Sequence, residues 1–270
     1  MYWRDKWDFT ESIEYEYKFA GNYGAKGEKR QKKKKATREQ VRKQNQLNRE
    51  KKMRRLIKAN FGRGDLWACL KYPKGTRKLV EEVEKDLKRF IRNMRRAYQR
   101  RKEVFRYVYR MEIGKQGGIH IHILVNRISG EPGTDMLIQK YWQQGRASYE
   151  NIYGSGGYRA LAEYIVKQPD QETMEQMALF DLKDRKKLIR YSSSKNLIRP
   201  EPERSRYRRR TLRKLIGMIL RGDGPEPSPG YYIDRSSVYM GINPFTGYSY
   251  LQYTEHRIEN QRKEEPPWIW

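Results

Sequence analysis

The centre of the chain contains the stretch GGIHIHILVN (residues 117–126), in which two histidines alternate with isoleucines. A period of two is typical of a β-strand, because successive side chains of a strand project from opposite faces. His120 and His122 therefore share one face, about 6–7 Å apart, and the intervening isoleucines fill the other. Two imidazoles at that separation can bind one metal ion, so this pattern predicts a strand that carries a metal site.

The preceding strand offers a third ligand. The stretch EVFRYVYRMEI (103–113) alternates in the same way and is followed by the tight turn GKQGG (114–118). An antiparallel hairpin would bring Glu112 beside the histidine strand, on the face opposite to Tyr109 and Met111. Two histidines and one carboxylate leave coordination positions open, which is the pattern of catalytic rather than structural metal sites.

The order of elements predicts an α+β fold with a central antiparallel sheet and packed helices. DLWACLKY (65–72) is typical of a buried strand, residues 77–100 carry apolar side chains at helical spacing, and residues 154–168 are predicted to form a further helix. We divide the chain into a basic N-terminal arm with a strand and a helix (1–60), a central domain that contains these motifs (61–200), and a C-terminal extension with a basic segment, a linker and a hairpin or tail (201–270).

The two terminal segments are less clearly defined. Residues 13–19 alternate as a strand, and Thr37 with Gln40 predicts a capping box that opens a basic helix. That helix is equally compatible with a solvated arm and with a DNA-contacting element. Residues 236–253 are typical of a hairpin with NPFTG as its turn, and PPWIW (266–270) allows no assignment.

The charge of the protein indicates a polyanionic partner. Its 270 residues include 60 Lys and Arg against 33 Asp and Glu, a net charge of +27, and 21 tyrosines. Basic grooves with stacking aromatic rings are suited to single-stranded nucleic acid. We expect the basic segments 26–55 and 204–214 to follow a DNA backbone.

The remaining composition restricts the cellular setting. The single cysteine, Cys69, excludes an intramolecular disulfide and a cysteine-based zinc site, and we interpret it as a buried small hydrophobic residue. No segment resembles a signal peptide or a membrane span, so we expect a cytoplasmic protein without a membrane partner.

A tyrosine on the later helix is a candidate nucleophile. At about 100° per residue, Tyr158 falls on the apolar side of the helix, whereas Tyr164 lies at its border beside Lys167, with its hydroxyl directed outward. A phenol with an ordinary pKa near 10 attacks only an activated target. A metal that polarises a phosphate oxygen would supply that activation, and Lys167 could hold a neighbouring phosphate.

These motifs, in this order, resemble those of the HUH endonucleases, the rolling-circle replication initiators of phages and plasmids. The likeness is greatest to the replication-associated proteins of filamentous-phage type. It rests on LWACLKYP (66–73), on the pair His120 and His122, and on YIVK (164–167), and it covers roughly residues 62–200.

The resemblance implies an HUH/RRM-like endonuclease domain that binds Mg²⁺ or Mn²⁺ through His120, His122 and Glu112. It further implies that Tyr164 attacks single-stranded origin DNA, which leaves a 5′-phosphotyrosine and a free 3′-hydroxyl. Since Tyr158 lies on the core face, we expect a one-tyrosine enzyme. No GxxxxGK[ST] loop is present, so we expect a host helicase to unwind the DNA.

Two alternatives remain open. A transposase or conjugative relaxase of a mobile element would share this chemistry but act on another substrate. A non-catalytic nucleic-acid-binding protein, for DNA or for RNA, would keep the sheet without the reaction. This second alternative predicts that replacing Tyr164 or His120 leaves binding and biological activity intact.

Overall fold

The structure, a computed structural model, describes residues 1–21, 35–114, 117–152, 158–178, 180–243 and 247–258. The predicted α+β class is confirmed, since the described residues form two antiparallel five-stranded sheets with packed helices. The strands are β1 (Tyr2–Phe9), β2 (Ser12–Phe19), β3 (Leu66–Lys71), β4 (Tyr107–Ile113), β5 (Ile119–Val125), β6 (Arg146–Asn151), β7 (Tyr191–Ser193), β8 (Glu203–Tyr207), β9 (Tyr231–Ile242) and β10 (Ser249–Arg257). The helices are α1 (Arg38–Asn60), α2 (Val80–Arg100), α3 (Thr134–Tyr141), α4 (Arg159–Val166), α5 (Gln171–Met177), α6 (Leu182–Ile189) and α7 (Arg209–Arg221).

The chain divides into two compact units. One comprises residues 1–41 and 200–270, and the other residues 42–199. In the first unit, strands from both ends of the chain form one sheet in the order β8-β1-β2-β10-β9. The apolar side of α7 packs on this sheet, where Leu212 joins Tyr2 and Tyr17 in a shared core. The domain limits at residues 60 and 200 stay a prediction.

The second unit is built around the sheet β6-β3-β5-β4-β7. Helix α2 covers one face, where Val83 and Phe90 pack with Ile121 and Ile123 of β5. Helices α1 and α4 cover the other face through the side chains Met53, Ile57, Ala162, Ile165 and Val166. The central strands are therefore buried on both sides, which explains their nearly continuous apolar sequence.

The individual predictions agree with this architecture. The strands predicted at 13–19, 65–72, 103–113 and 119–125 and the helix predicted at 77–100 are all present, with bounds that differ by at most four residues. The capping box is confirmed, because Thr37 N–H donates to Gln40 Oε1 at 2.9 Å and Gln40 N–H donates to Thr37 Oγ1 at 3.2 Å. The strands of the 236–253 hairpin are also confirmed.

Helix α1 is present where the sequence predicted a basic helix, and the choice between a solvated arm and a DNA-contacting element stays open. Its first half is largely exposed, whereas Met53, Leu56 and Ile57 near its end are buried against the sheet. Parts of the turns at 114–118 and 243–247, the start of the 154–168 helix, and PPWIW lie outside the described residues. Within the part of the chain that the structure describes, no helix has both the length and the apolar character needed to cross a membrane.

Candidate active site

The register of three neighbouring strands gathers the candidate side chains on one face of the sheet. Glu112 of β4 lies opposite His120 of β5, as predicted from the hairpin. One row further along, His122 lies between Cys69 of β3 and Arg110 of β4. This is the face on which α1 and α4 pack, so the site forms between the sheet and these helices.

The carboxylate of Glu112 is the common partner of the other four predicted residues. Its Oε2 accepts a hydrogen bond from the Tyr164 hydroxyl at 2.6 Å, and lies 3.4 Å from His122 Nε2 and 3.8 Å from His120 Nε2. Its Oε1 forms an ion pair with Lys167 Nζ. The structure therefore brings Glu112, His120, His122, Tyr164 and Lys167 together at one point.

These contacts shift the acidity of the carboxylate and of the phenol in opposite directions. Burial alone would raise the pKa of Glu112, but hydrogen bonds from His122, Lys167 and Tyr164 outweigh it and hold that pKa well below its usual range. Burial and the hydrogen bond to the carboxylate raise the pKa of Tyr164. The site as it stands keeps Glu112 charged and Tyr164 protonated.

The two histidines are held by aromatic packing. Their rings are 4.9 Å apart, and the indole of Trp67 stacks on His122 at 5.5 Å between ring centroids. Burial, together with the neighbouring His122, lowers the pKa of His120 to about 4. A neutral imidazole is the form that binds a metal, so this environment favours metal coordination at ordinary pH.

The position of the Tyr164 hydroxyl differs from the prediction. The helical wheel predicted that the hydroxyl is directed outward, whereas the hydroxyl points to the sheet and lies 2.8 Å from His122 Nε2. The Lys167 ammonium lies over the Tyr164 ring, 4.3 Å from its centroid, and pairs with Glu112. Tyr158 packs against the apolar cluster of α1 and α4, as predicted, and its φ of 60° places it at the left-handed N-cap of α4.

Arg110, which was not among the predicted site residues, anchors the end of the tyrosine helix. Its side chain is only 2% exposed, and its Nη1 donates to the carbonyl oxygens of Ile165 at 3.1 Å and Lys167 at 2.7 Å. The last carbonyls of a helix lack partners within the helix, and its dipole favours a cation there. Gln46 of α1 donates to the Val166 carbonyl at 3.0 Å. The sequence feature that could have indicated this role is an arginine in a strand predicted to be buried, on the same face as Glu112.

Cys69 requires a correction. We expected a buried hydrophobic residue without a metal role, but the side chain is half-buried and Sγ lies 4.0 Å from His122 Nε2. Cys69, His120 and His122 form a group whose ligand atoms all lie within 4.8 Å of one another and could hold a metal ion. The expectation was wrong because it considered cysteines as ligands only in combination with other cysteines.

Comparison with known proteins supports a role in replication. Residues 65–169 match the model of a family described as replication-associated protein ORF2. The matched segment runs from β3 to just beyond α4 and contains all five of the predicted site residues. The match supports a phage or plasmid replication protein that acts in replication initiation and interacts with DNA. No curated protein and no solved structure matches the chain.

The low pKa of His120 can be measured directly. In metal-free protein, we expect its imidazole to take up a proton only near pH 4, as followed by the NMR shift of its ring Cε1–H. In the unfolded chain the pKa of this imidazole is about 6.5. Above that pH, His120 is neutral in both the folded and the unfolded state, and the protein keeps its full stability. The free energy of unfolding should then fall as the pH drops from about 6.5 to about 4. Titration of His120 near 6.5 would contradict the buried position.

Arg110→Met should loosen helix α4. The helix carbonyls would lose a buried donor, so we expect the free energy of unfolding to fall by about 1–3 kcal/mol. Amide exchange in α4 should accelerate more than in α2. The matched control is Arg146→Met, an exposed arginine of edge strand β6, with an expected change within about 0.5 kcal/mol. An equal loss in both variants would show that Arg110 has no special role.

Proposed function

We propose that this protein nicks and rejoins single-stranded DNA at an origin through a tyrosine–DNA intermediate, and so initiates rolling-circle replication. One observation carries the proposal. The Tyr164 hydroxyl lies 2.6 Å from Glu112 Oε2 and 2.8 Å from His122 Nε2, so a candidate nucleophile touches two candidate metal ligands. The replication-associated family match over the same residues supports this assignment.

The side chains at the site fit a divalent cation such as Mg²⁺ or Mn²⁺. His120, His122 and Glu112 offer two imidazole nitrogens and a carboxylate that stays charged, a donor set typical of catalytic sites with open positions. His122 Nδ1 is buried and has no hydrogen-bond partner among the described residues. A cation bound by His120, His122 and Glu112 would polarise a non-bridging oxygen of the scissile phosphate.

The chemistry of the chain itself centres on Tyr164. Its oxygen attacks the phosphorus, a bond forms between them, and the bond from phosphorus to the 3′-oxygen breaks. The phenolic proton passes to water, and the leaving 3′-oxygen takes up a proton from water. Glu112 and His122, which contact the hydroxyl, would be occupied as metal ligands. Rejoining is the reverse attack by the 3′-hydroxyl on the 5′-phosphotyrosine.

The remaining site residues assist by position and charge. Lys167 stands over the Tyr164 ring and pairs with Glu112, so its ammonium can turn to a phosphate oxygen that enters the site. The hydrogen bond from Tyr164 to Glu112 keeps the phenol protonated in the metal-free protein. A metal ligated by Glu112 would compete with that hydrogen bond, which couples metal binding to release of the nucleophile.

Under this proposal Tyr164 acts alone, as in a one-tyrosine enzyme, because Tyr158 packs in the apolar cluster. Unwinding of the origin would fall to a host helicase. A relaxase or transposase would perform the same chemistry on another substrate, so the DNA sequence that is cleaved would separate them.

A covalent adduct tests the reaction. Protein mixed with single-stranded origin-containing DNA and Mn²⁺ should give a protein–DNA band on a denaturing gel, and chelator should abolish it. Tyr164→Phe should lose the band entirely, because the nucleophilic oxygen is gone. The matched control is Tyr149→Phe, whose hydroxyl bonds Gln139 and whose ring packs on the opposite face of the sheet; it should retain the band. DNA binding without an adduct would favour the non-catalytic alternative.

The third metal ligand can be identified by metal preference. Glu112→Gln should weaken Mn²⁺ binding about 10- to 100-fold in calorimetry, because a hard cation prefers a carboxylate oxygen. Cys69→Ser should leave Mn²⁺ binding unchanged but weaken Zn²⁺ binding, since Zn²⁺ accepts a thiolate. The reverse pattern, loss of Mn²⁺ binding in Cys69→Ser alone, would replace Glu112 by Cys69 in the catalytic donor set.

A further inference from the structure

The outer side of helix α2 carries a dense stripe of cations that the candidate active site does not use. The side chains of Lys85, Lys88, Arg89, Arg92 and Arg96 are all exposed. At about 100° per residue they fall within an arc of roughly 100° along the helix. From Lys85 to Arg96 the stripe extends for about 16 Å.

The composition of α2 is unusual for a merely solvated helix face. Such faces normally place acidic residues four positions from basic ones, which stabilises the helix. In α2 this spacing occurs only near the beginning of the helix, where Glu81 precedes Lys85 and Glu84 precedes Lys88, and the only acid after Glu84 is Asp86. Arg89, Arg92 and Arg96 have no acidic residue four positions away. Asp86 is buried and binds Lys78 and Tyr72.

The cations of the stripe also lack anionic partners in the part of the chain that the structure describes. Among the described residues, none of the five forms an ion pair, whereas Lys187 and Lys183 of α6 pair with Glu84 and Glu81 nearby. Like charges at spacings of three and four residues repel one another and destabilise a helix. A polyanion bound along the stripe would remove that repulsion.

The stripe lies on the opposite side of the sheet from Tyr164. The buried side of α2, including Leu87 and Met94, packs on the face formed by Ile121 and Ile123, while His122 projects from the other face. The full diameter of the helix, about 10 Å, adds to this separation. Phosphates bound at the stripe are therefore not those held at the reaction centre.

The residue types of the stripe favour duplex DNA over single-stranded DNA as its ligand. Proteins that bind single strands combine cations with exposed aromatic rings on which bases stack. The two aromatic residues of α2, Phe90 and Tyr98, are both buried in the core. A surface of cations without stacking rings binds mainly phosphates, and a duplex presents its phosphates while its bases remain paired.

We propose that the outer side of α2 binds the phosphate backbone of double-stranded DNA, in addition to the single strand at the reaction centre. The protein would then hold a duplex segment on one side of the sheet while a single strand enters the other. This second surface does not depend on the nicking chemistry, so it can be tested separately.

The test compares two triple variants that remove equal charge. The stripe variant is Lys88→Gln, Arg92→Gln and Arg96→Gln. The control variant is Lys74→Gln, Lys140→Gln and Lys195→Gln, three exposed lysines of the same unit outside α2. Binding to a labelled blunt duplex of about 20 base pairs is measured by fluorescence anisotropy over a range of salt concentrations. Thermal unfolding of each variant checks that the fold is retained.

In the stripe variant we expect duplex affinity to fall at least about tenfold at 0.1 M salt, and the slope of log K against log salt to shrink by about 2–3. The control variant should change both quantities much less. Adduct formation on a short single-stranded substrate should remain intact in both variants.

Two results would overturn the proposal. One is an equal loss of duplex binding in both triple variants, which would reflect net charge alone. The other is a loss of single-strand binding as large as the loss of duplex binding, which would assign the stripe to the single strand. If even the unmodified protein gave no adduct, the proposed nicking function would fail, but the duplex measurements would still decide the role of α2.

Discussion

The antiparallel pairing of β5 between β3 and β4 is the constraint on which the site depends. A slip of one residue would move His120 and His122 to the other face of the sheet. The slip is opposed by Ile121 and Ile123, which are fully buried against α2 and would be exchanged for imidazoles in an apolar core. Burial of the isoleucines on one face thus fixes the histidines on the other, so the packing that stabilises the sheet also builds the candidate site.

The second requirement is that charges buried beneath α4 be compensated. Arg110 and Glu112 project from the same face of β4, and isolated charges there would be costly. Nη1 of Arg110 donates to the carbonyl oxygens at the end of α4, and Glu112 is paired with Lys167, His122 and the Tyr164 hydroxyl. The same contacts attach the helix to the sheet. The same contacts therefore stabilise the packing of α4 on the sheet and set the geometry of the site, because the groups that neutralise these charges also position the tyrosine.

The contact between Tyr164 and Glu112 would also affect control of the proposed reaction. In the metal-free protein the candidate nucleophile donates its proton to a candidate metal ligand, and both groups are stabilised in that state. A cation that recruits Glu112 would loosen Tyr164 at the same time. Cys69, beside His122, adds a thiol that a softer metal could prefer. The identity of the bound metal would then decide whether the carboxylate, and with it the tyrosine, is drawn away from the resting contacts.

The sequence by itself determined the elements that rest on local pattern. Alternation predicted strands β3, β4 and β5, helical spacing predicted α2, and the turn at 114–118 predicted that Glu112 would lie beside His120. Only the tertiary structure decided what depends on contacts between distant segments. The direction of the Tyr164 hydroxyl followed from Arg110 and Gln46 holding α4 on the sheet, and the place of Cys69 followed from strand pairing. The sheet formed from both chain ends was likewise hidden, because periodicity along a strand carries no information about its partner across about 200 residues of chain.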